Sequence, residues 1–163
     1  MRQTQGLMTA PDPHPLDRLR EEAQTTTPQA VRLSLETLSA GHFALLAPQG
    51  WAAGAEEILR GAIGMERKAQ MEMRIGLGAD IDDLPIRKTR ALAEMTLDDL
   101  LAEYREGRAM TLRVLDRLLE VAGRRDVRAW TLGEEVPPAV YILSLRDRLE
   151  RLGRLVGEQR VSP

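Results

Sequence analysis

The sequence predicts an all-α protein, a four-helix bundle, on three observations. Aromatic residues make up 3% of the chain, so the core must be built from Leu, Ala, Val, Ile and Met, whereas sheets draw on aromatic and β-branched side chains. Apolar residues recur with the helical period in four segments. Capping residues or prolines open three of these segments. With 163 residues, the chain is most simply divided into a loose extension, 1–26, one bundle domain, 27–158, and a tail, 159–163.

The first half of the chain is predicted to contain a short helix and two long ones. The octapeptide LDRLREEA, residues 16–23, can form a short helix against the body of the protein. Thr27 is expected to cap the first long helix, with Pro28 at its first position. This helix carries an apolar stripe of Val31, Leu35, Leu38, His42 and Leu45. Pro48 and Gly50 end it.

The second long helix is predicted to begin near Ala53 and to fade at the glycines of the IGLGAD stretch. Its expected buried face consists of Ile58, Ala62, Met65, Ala69 and Met73. Gly61 is expected on the same face, where a glycine costs about 1 kcal/mol of helix stability relative to alanine. Such a residue indicates either a close approach of two helices or the loss of a functional side chain.

The second half of the chain is predicted to contain two further long helices and no strand. Thr96 caps the third helix, which Gly123 stops, and its inner face carries Leu97, Leu101, Tyr104, Arg108, Thr111, Leu115, Leu118 and Ala122. The segment 124–136 is a connection in which Trp130 is expected to fill the edge of the core. Pro137 and Pro138 open the last helix, whose stripe is Tyr141, Ile142, Leu145, Leu149, Leu152 and Val156.

Composition excludes several classes of function. The net charge of −2 gives no overall basic field for nucleic acid. The absence of cysteine excludes disulfides, a cysteine nucleophile and thiolate metal ligands, and fits a cytoplasmic protein. No stretch approaches the roughly 18 apolar residues of a membrane span. We therefore predict a cytoplasmic protein that binds neither nucleic acid nor membrane.

Three stretches of sequence occur in the order found in a known family. They are Trp51 followed by Glu57-Ile58-Leu59, the segment 96–120, TLDDLLAEYREGRAMTLRVLDRLLE, and the segment 142–155, ILSLRDRLERLGRL. In this order they resemble the DinB/YfiT-like helical bundles, over residues 28–158. The resemblance implies an often dimeric bundle with a divalent metal held by three histidines, one from the second helix and two from the last. Some members of that family are thiol-dependent transferases or isomerases using bacillithiol, mycothiol or glutathione.

The family's metal ligands do not carry over to this chain. The histidine of the second helix corresponds to Gly61, and the pair on the last helix corresponds to Asp147 and Arg151 or, in the core-facing register, to Leu145 and Leu149. The chain contains only two histidines, so a three-histidine site cannot form within one subunit. The resemblance therefore implies a retained fold with a lost metal site, and no cofactor is predicted.

Two residues are candidates for a functional site. His42 lies on the inner stripe of the first long helix, where it is either a general base or a satisfied, partly buried histidine whose charge suits the helix C-terminus. Arg108 lies on the inward face of the third, where it either binds an anionic ligand, extends to the solvent from the edge of the face or pairs with a carboxylate. His14, between two prolines, is expected to face solvent.

The other charged residues are expected on solvated, ion-paired faces. Carboxylates on the helices could in principle replace histidine ligands, but no Glu-x-x-His pair occurs. Asp147 is expected to face solvent and to pair with Arg151. The carboxylates considered are Glu57, Glu66, Glu103, Glu106, Asp147 and Glu150, and the basic outer side of the last helix is assigned to Arg146, Arg148, Arg151, Arg154 and Arg160.

These observations favour a non-catalytic small-molecule-binding or stress-associated protein with a pocket between its helices. A homodimer through helix faces is expected, with Gly61 and Gly64 permitting close approach within the bundle or between subunits. The alternative is a divergent thiol-dependent transferase-like or hydrolase-like enzyme with a relocated metal or metal-independent chemistry. Fold resemblance alone does not decide between them.

Overall fold

The structure is a computed structural model that describes residues 15–47, 49–79, 91–121, 126–129 and 132–161. These residues contain five α-helices, a 3-10 turn at Leu92–Glu94 and two short strands. The helices are α1 Pro15–Thr25, α2 Pro28–Leu45, α3 Ala55–Gly76, α4 Leu97–Glu120 and α5 Pro138–Gly157, and the strands are β1 Val127–Ala129 and β2 Glu134–Val136. The predicted all-α class is confirmed in the described part of the chain.

The expectation of no strand is wrong for the connection between α4 and α5. There β1 and β2 pair antiparallel, with Val127 opposite Val136, and both valines are fully buried. Alternation of apolar and polar residues over only three positions is too short a signal to distinguish a strand from a loop. The predicted roles of His14, Gly123 and Trp130 fall outside the described residues.

The predicted starts of α2, α4 and α5 are confirmed by the residues at their N-termini. The Thr27 hydroxyl accepts a hydrogen bond from the Ala30 amide at 3.2 Å at the start of α2. Thr96 and Asp99 form a reciprocal capping box at the start of α4. Pro138 occupies the first turn of α5, where its missing N–H costs nothing.

The core lies where α3 packs on α4 and α2 packs on α5. The described part of the predicted N-terminal extension belongs to this core, because α1 buries Leu16 and Leu19 against it. Trp51, in the connection between α2 and α3, contacts the residues that follow α5. Its ring lies 5.2 Å from the Arg160 guanidinium, and its indole N–H donates to the Ala47 carbonyl at 2.7 Å. No helix among the described residues is long and apolar enough to span a membrane.

Gly61 does not lie on the buried face of α3, contrary to prediction. It is exposed, as is Gly64, and an added Cβ at either position would meet nothing within 4 Å. The predicted close approach of helices at these glycines is therefore absent within the described chain. Ala62, Ala69 and Met73 are fully buried as expected.

The replacement Gly61→Ala is expected to stabilise the protein by about 1 kcal/mol, because alanine loses less backbone entropy in a helix and meets no neighbour here. Urea unfolding followed by circular dichroism measures the change. Gly64→Ala, in the same helix and equally open, is the matched replacement and should give a similar gain. A loss of stability in both variants would mean that this face of α3 is covered.

Candidate functional site between the helices

Two groups of buried polar side chains lie between the helices. The first, here called the Arg108 network, joins α2, α3 and α4 and consists of Ser39, His42, Glu66, Tyr104, Arg108 and Thr111. The second, here called the Arg148 cluster, joins α3 and α5 and consists of Glu72, Tyr141 and Arg148. Helical spacing aligns the members of each group that lie on one helix: Tyr104, Arg108 and Thr111 are four and three residues apart on α4, and Tyr141 and Arg148 are two turns apart on α5.

A buried ion pair is the centre of the Arg108 network. The side chains of Glu66 and Arg108 are both 0% exposed, and Arg108 Nε donates to the Glu66 carboxylate. The other carboxylate oxygen of Glu66 accepts from the Thr111 hydroxyl. Gln70 Nε2 donates to the Thr111 hydroxyl oxygen at 3.1 Å and thereby extends the network along α3. Both charges are thus compensated and hydrogen bonded.

The terminal nitrogens of Arg108 are also engaged within the protein. Nη2 donates to the Tyr104 hydroxyl at 2.9 Å, and Nη1 contacts Ser39 Oγ at 3.4 Å and His42 Nδ1 at 3.2 Å. The sequence left three alternatives open for Arg108, and pairing with a carboxylate is the one observed. Because each nitrogen of the guanidinium already has a partner, Arg108 has little capacity left to hold a ligand.

His42 is held in its neutral form. Arginine can only donate, so Nδ1 of His42 accepts the bond from Arg108 and the ring carries its proton on Nε2. Burial, and secondarily the charge of Arg108, lowers the pKa of His42 from 6.5 to about 4. The edge of the ring that carries Nε2 lies against Gly153 of α5, whose missing side chain leaves the space that the imidazole occupies. The predicted favourable charge on His42 is therefore not supported.

The lowered pKa of His42 makes stability depend on pH. Between pH 6.5 and about 4 the unfolded chain binds a proton at His42 that the folded chain does not, so stability falls as the pH falls through this window. Because the ring is partly exposed, we expect about 1–2 kcal/mol rather than the full value of the shift. The measurement is urea unfolding of wild type and His42→Asn at pH 7 and 4.5.

The asparagine variant keeps an acceptor for Arg108 but cannot titrate. The two proteins contain the same carboxylates, so the difference between the two pH profiles isolates His42. Parallel profiles would contradict a lowered pKa.

Arg148 has a different environment from Arg108. Its side chain is 6% exposed, and neither Nη1 nor Nη2 has a hydrogen-bond partner among the described residues. The Glu72 carboxylate forms an ion pair with it, with Oε2 at 3.5 Å from Nη2. The Tyr141 hydroxyl donates to the same Glu72 oxygen at 2.9 Å, and burial raises the pKa of Tyr141. Arg148 is thus a charge-balanced but incompletely hydrogen-bonded cation.

These positions correct the assignment of the last helix as a uniformly solvated basic face. Arg148 is buried, whereas Arg151 and Arg154 are exposed. Arg146 and Asp147 lie partly exposed in an ion-pair group that joins α5 to α1. Asp147 pairs with Arg18 and Arg146 rather than with Arg151, because α1 packs beside it.

Glu66 corrects the assignment of the α3 carboxylates to solvated faces, since it is 0% exposed, and Glu72, which the sequence analysis did not consider, is also 0% exposed. The sequence did contain a signal for them. Glu66 lies four residues after Ala62 and three before Ala69, and Glu72 lies three residues after Ala69. A charged residue that continues an apolar stripe at helical spacing requires a buried partner.

The positions that correspond to the family's metal ligands are scattered in the structure. Gly61 and Arg151 are exposed, Asp147 is partly exposed, and Leu145 and Leu149 are core residues. Within the described ranges, no group of three or more histidine, aspartate or glutamate side chains is placed to hold a metal ion. The polar residues of the interior lie elsewhere, in the Arg108 network and the Arg148 cluster.

No family model, no curated protein and no solved structure matches the chain. The class that the described structure defines is an all-α protein whose interior holds two buried polar groups. In one of them every guanidinium nitrogen has a hydrogen-bond partner, and the other contains an arginine with two nitrogens that have none among the described residues.

Proposed function

We propose that the protein is a non-catalytic, small-molecule-binding bundle of the DinB/YfiT-like kind without that family's metal site. The order of the four long helices, α2 to α5, and the sequence stretches that resemble that family support this proposal. The observation that carries it is Arg148. A guanidinium that is 6% exposed and has two nitrogens without a hydrogen-bond partner among the described residues forgoes hydrogen bonds that water would supply in the unfolded chain. A bound molecule offering acceptor atoms would recover them.

The state of His42 favours this proposal over the enzyme alternative. A general base needs a free lone pair and a pKa near the working pH. His42 offers neither, because Nδ1 accepts from Arg108, Nε2 carries the proton beside Gly153, and its pKa is lowered to about 4. Its role is to complete the hydrogen bonding of Arg108.

The test is a ligand screen on the untagged protein. Ligand-observed NMR with a library of small charged and uncharged compounds is expected to find binders whose signals are lost with Arg148→Met. Arg151→Met, an exposed arginine one turn further along α5, is the control and should leave binding unchanged. Binders unaffected by Arg148→Met would contradict the assignment to Arg148. Stoichiometric metal that survives dialysis and raises the melting temperature would contradict the proposal that the protein lacks a metal site.

A homodimer is proposed on the outward face of α2. This face carries almost no charged residues. Its exposed residues recur at alternating spacings of three and four, which is the pattern of a helix–helix interface. Its exposed residues are Ala30, Leu33, Thr37, Ala40 and Ala44. Antiparallel pairing of two copies about Thr37 would set Leu33, 64% exposed, opposite Gly41 of the second copy, a large residue against a small one. Sedimentation velocity at micromolar concentration is expected to show a dimer that Leu33→Glu dissociates, and a wild-type monomer would refute it.

A further inference from the structure

We propose that α1 is a releasable strap: an electrostatic latch holds it on α5, and it can detach while helices α2 to α5 remain folded. The latch consists of Arg18 and Glu22 on α1 and of Arg146 and Asp147 on α5. This inference goes beyond the proposed small-molecule binding and does not depend on it. It rests on the shortness of α1, the exposure of the latch and the independence of the connection to α2.

The helical structure of α1 depends on its docking. It spans 11 residues, Pro15–Thr25, and isolated helices shorter than about 12–15 residues are marginal in water. Its last turn carries no basic residue that would interact favourably with the helix dipole. Leu16 and Leu19 are its only buried side chains. The free energy that keeps α1 in place therefore comes from a small apolar contact together with ion pairs.

The ion pairs of the latch are well formed but accessible to water and salt. The two terminal nitrogens of Arg146 donate to the two carboxylate oxygens of Glu22, at 2.6 and 3.1 Å. Asp147 accepts from Arg146 at 2.7 Å and also from Arg18. The hydrogen bonds from Arg146 lower the pKa of Glu22, so this carboxylate is charged at neutral pH. The exposed fraction of these side chains ranges from 17% for Arg146 to 52% for Arg18, so dissolved salt weakens the latch.

The connection between α1 and α2 lets α1 leave without unfolding α2. Thr26 and Thr27 separate the two helices. The amide of Thr26 donates to the Glu22 carbonyl at 3.1 Å and so belongs to the end of α1. The hydroxyl of Thr27 accepts from the Ala30 amide, and its backbone is extended, as expected before a proline. The cap of α2 is therefore complete without α1.

Release of α1 would uncover an apolar face of α5. Val140 and Leu143 precede Asp147 by seven and four residues, so the three lie on the side of α5 that faces α1. Both apolar residues are buried in the core cluster that includes Leu16 and Leu19. The protein therefore has a second state, with α1 detached, in which this face is open.

Native-state hydrogen exchange of the full-length protein, followed by NMR, measures the release. The amides of residues 19–26 are expected to exchange through an opening that leaves the α3 and α4 amides protected. This opening should be about fivefold more frequent in about 1 M than in about 0.05 M sodium chloride. Exchange of α1 only together with α3 and α4 would overturn the strap, and so would an α1 without protection at either salt concentration. An opening that does not respond to salt would overturn the latch.

Arg146→Met is expected to make this opening about tenfold more frequent at low salt, because Glu22 and Asp147 then lose the arginine that both accept from. Arg151→Met is the matched control, since it removes the same charge from an exposed position of α5. It should leave the exchange of α1 unchanged. The α3 amides verify that both variants are folded. Equal effects of the two variants would show that net charge, and not the latch, controls α1.

Charge reversal separates the ion pair from packing by the apolar stem of the arginine. Glu22→Arg and Arg146→Glu each set like charges against one another, and both should make the exchange of α1 faster. The double variant restores an opposite-charge pair in reversed order, so its α1 should exchange more slowly than that of either single variant. A double variant as open as the single variants would show that this pair does not hold α1 and would refute the latch.

Discussion

Removing one partner of the Glu66–Arg108 pair is expected to destabilise the protein by about 3–5 kcal/mol, because the remaining charge is buried without a counterion. Both side chains are 0% exposed, so neither can turn to water to recover its solvation. Small domains have a total stability of about 5–15 kcal/mol, and this loss is a large part of it. Glu66→Gln is the most informative single change, since it keeps the shape of the side chain and removes only the charge.

The matched control is Glu103→Gln. Glu103 pairs with Arg67 across the same two helices, α3 and α4, but these side chains are 22% and 36% exposed. Removing its charge should cost no more than about 1 kcal/mol, because water screens the pair and solvates the remaining arginine. Urea unfolding of both variants compares the two pairs directly. A similar cost for both would contradict the burial of Glu66.

The double variant Glu66→Met, Arg108→Met separates the net value of the pair from the cost of breaking it. Buried ion pairs replaced by apolar residues of similar volume often leave stability unchanged or raised, so the double variant should be far more stable than either single change. In that variant Ser39 still donates to the Leu35 carbonyl, and the Thr111 hydroxyl can turn its single proton to the Gly107 carbonyl, which lies 3.1 Å away. If the double variant were as unstable as the sum of the single variants, the pair would not be a coupled unit.

The sequence predicts the helices of this protein better than its interior chemistry. The starts of α2, α4 and α5 are readable because Thr27, Thr96 and Pro138 act locally, through hydrogen bonds or a fixed φ angle within one turn. The β1–β2 pairing is not readable, since each strand has three residues and depends on partners brought together by the fold. The start of a helix can therefore be predicted from residues within one turn, whereas a strand pair also depends on which distant residues the fold brings together.

The same distinction explains what was predicted of the site. His42 and Arg108 stand out because each interrupts an apolar stripe. In the structure, Nδ1 of His42 lies 3.2 Å from Nη1 of Arg108. Their partner Glu66 was predicted to face solvent. That prediction gave more weight to the charge of the side chain than to its position on the apolar stripe of the helix. Burial of one charge depends on a second charge on another helix, and a single stripe does not show which residue that is. Arg148 was missed for the same reason.

The two polar groups also differ in what they can do. The Arg108 network bonds each of its guanidinium nitrogens within the protein, so it fixes how α2, α3 and α4 pack. The Arg148 cluster balances its charge but leaves directed donors unused. A charge needs only a nearby opposite charge, whereas an N–H needs an aligned acceptor. Among the described residues, the Arg148 cluster is therefore the less completely hydrogen bonded of the two groups.

Gly153→Ala is expected to destabilise the protein by about 2–4 kcal/mol, although alanine is the better helix former. An added Cβ would lie 2.6 Å from His42 Cδ2 and closer still to Nε2, which no side chain can accommodate. The imidazole must then leave its place and give up its contact with Arg108 Nη1. The cost combines this lost bond with the strain of overpacking.

The sign of the same replacement should reverse when His42 is alanine. In the His42→Ala background the space beside Gly153 is empty, so Gly153→Ala should stabilise by about 1 kcal/mol through helix propensity alone. Urea unfolding of the four proteins in this cycle gives the coupling between the two positions, and a reversal of sign cannot arise from helix propensity or general loosening. If Gly153→Ala had the same effect in both backgrounds, the imidazole would not lie against α5 and its neutral, bonded state would lose its structural basis.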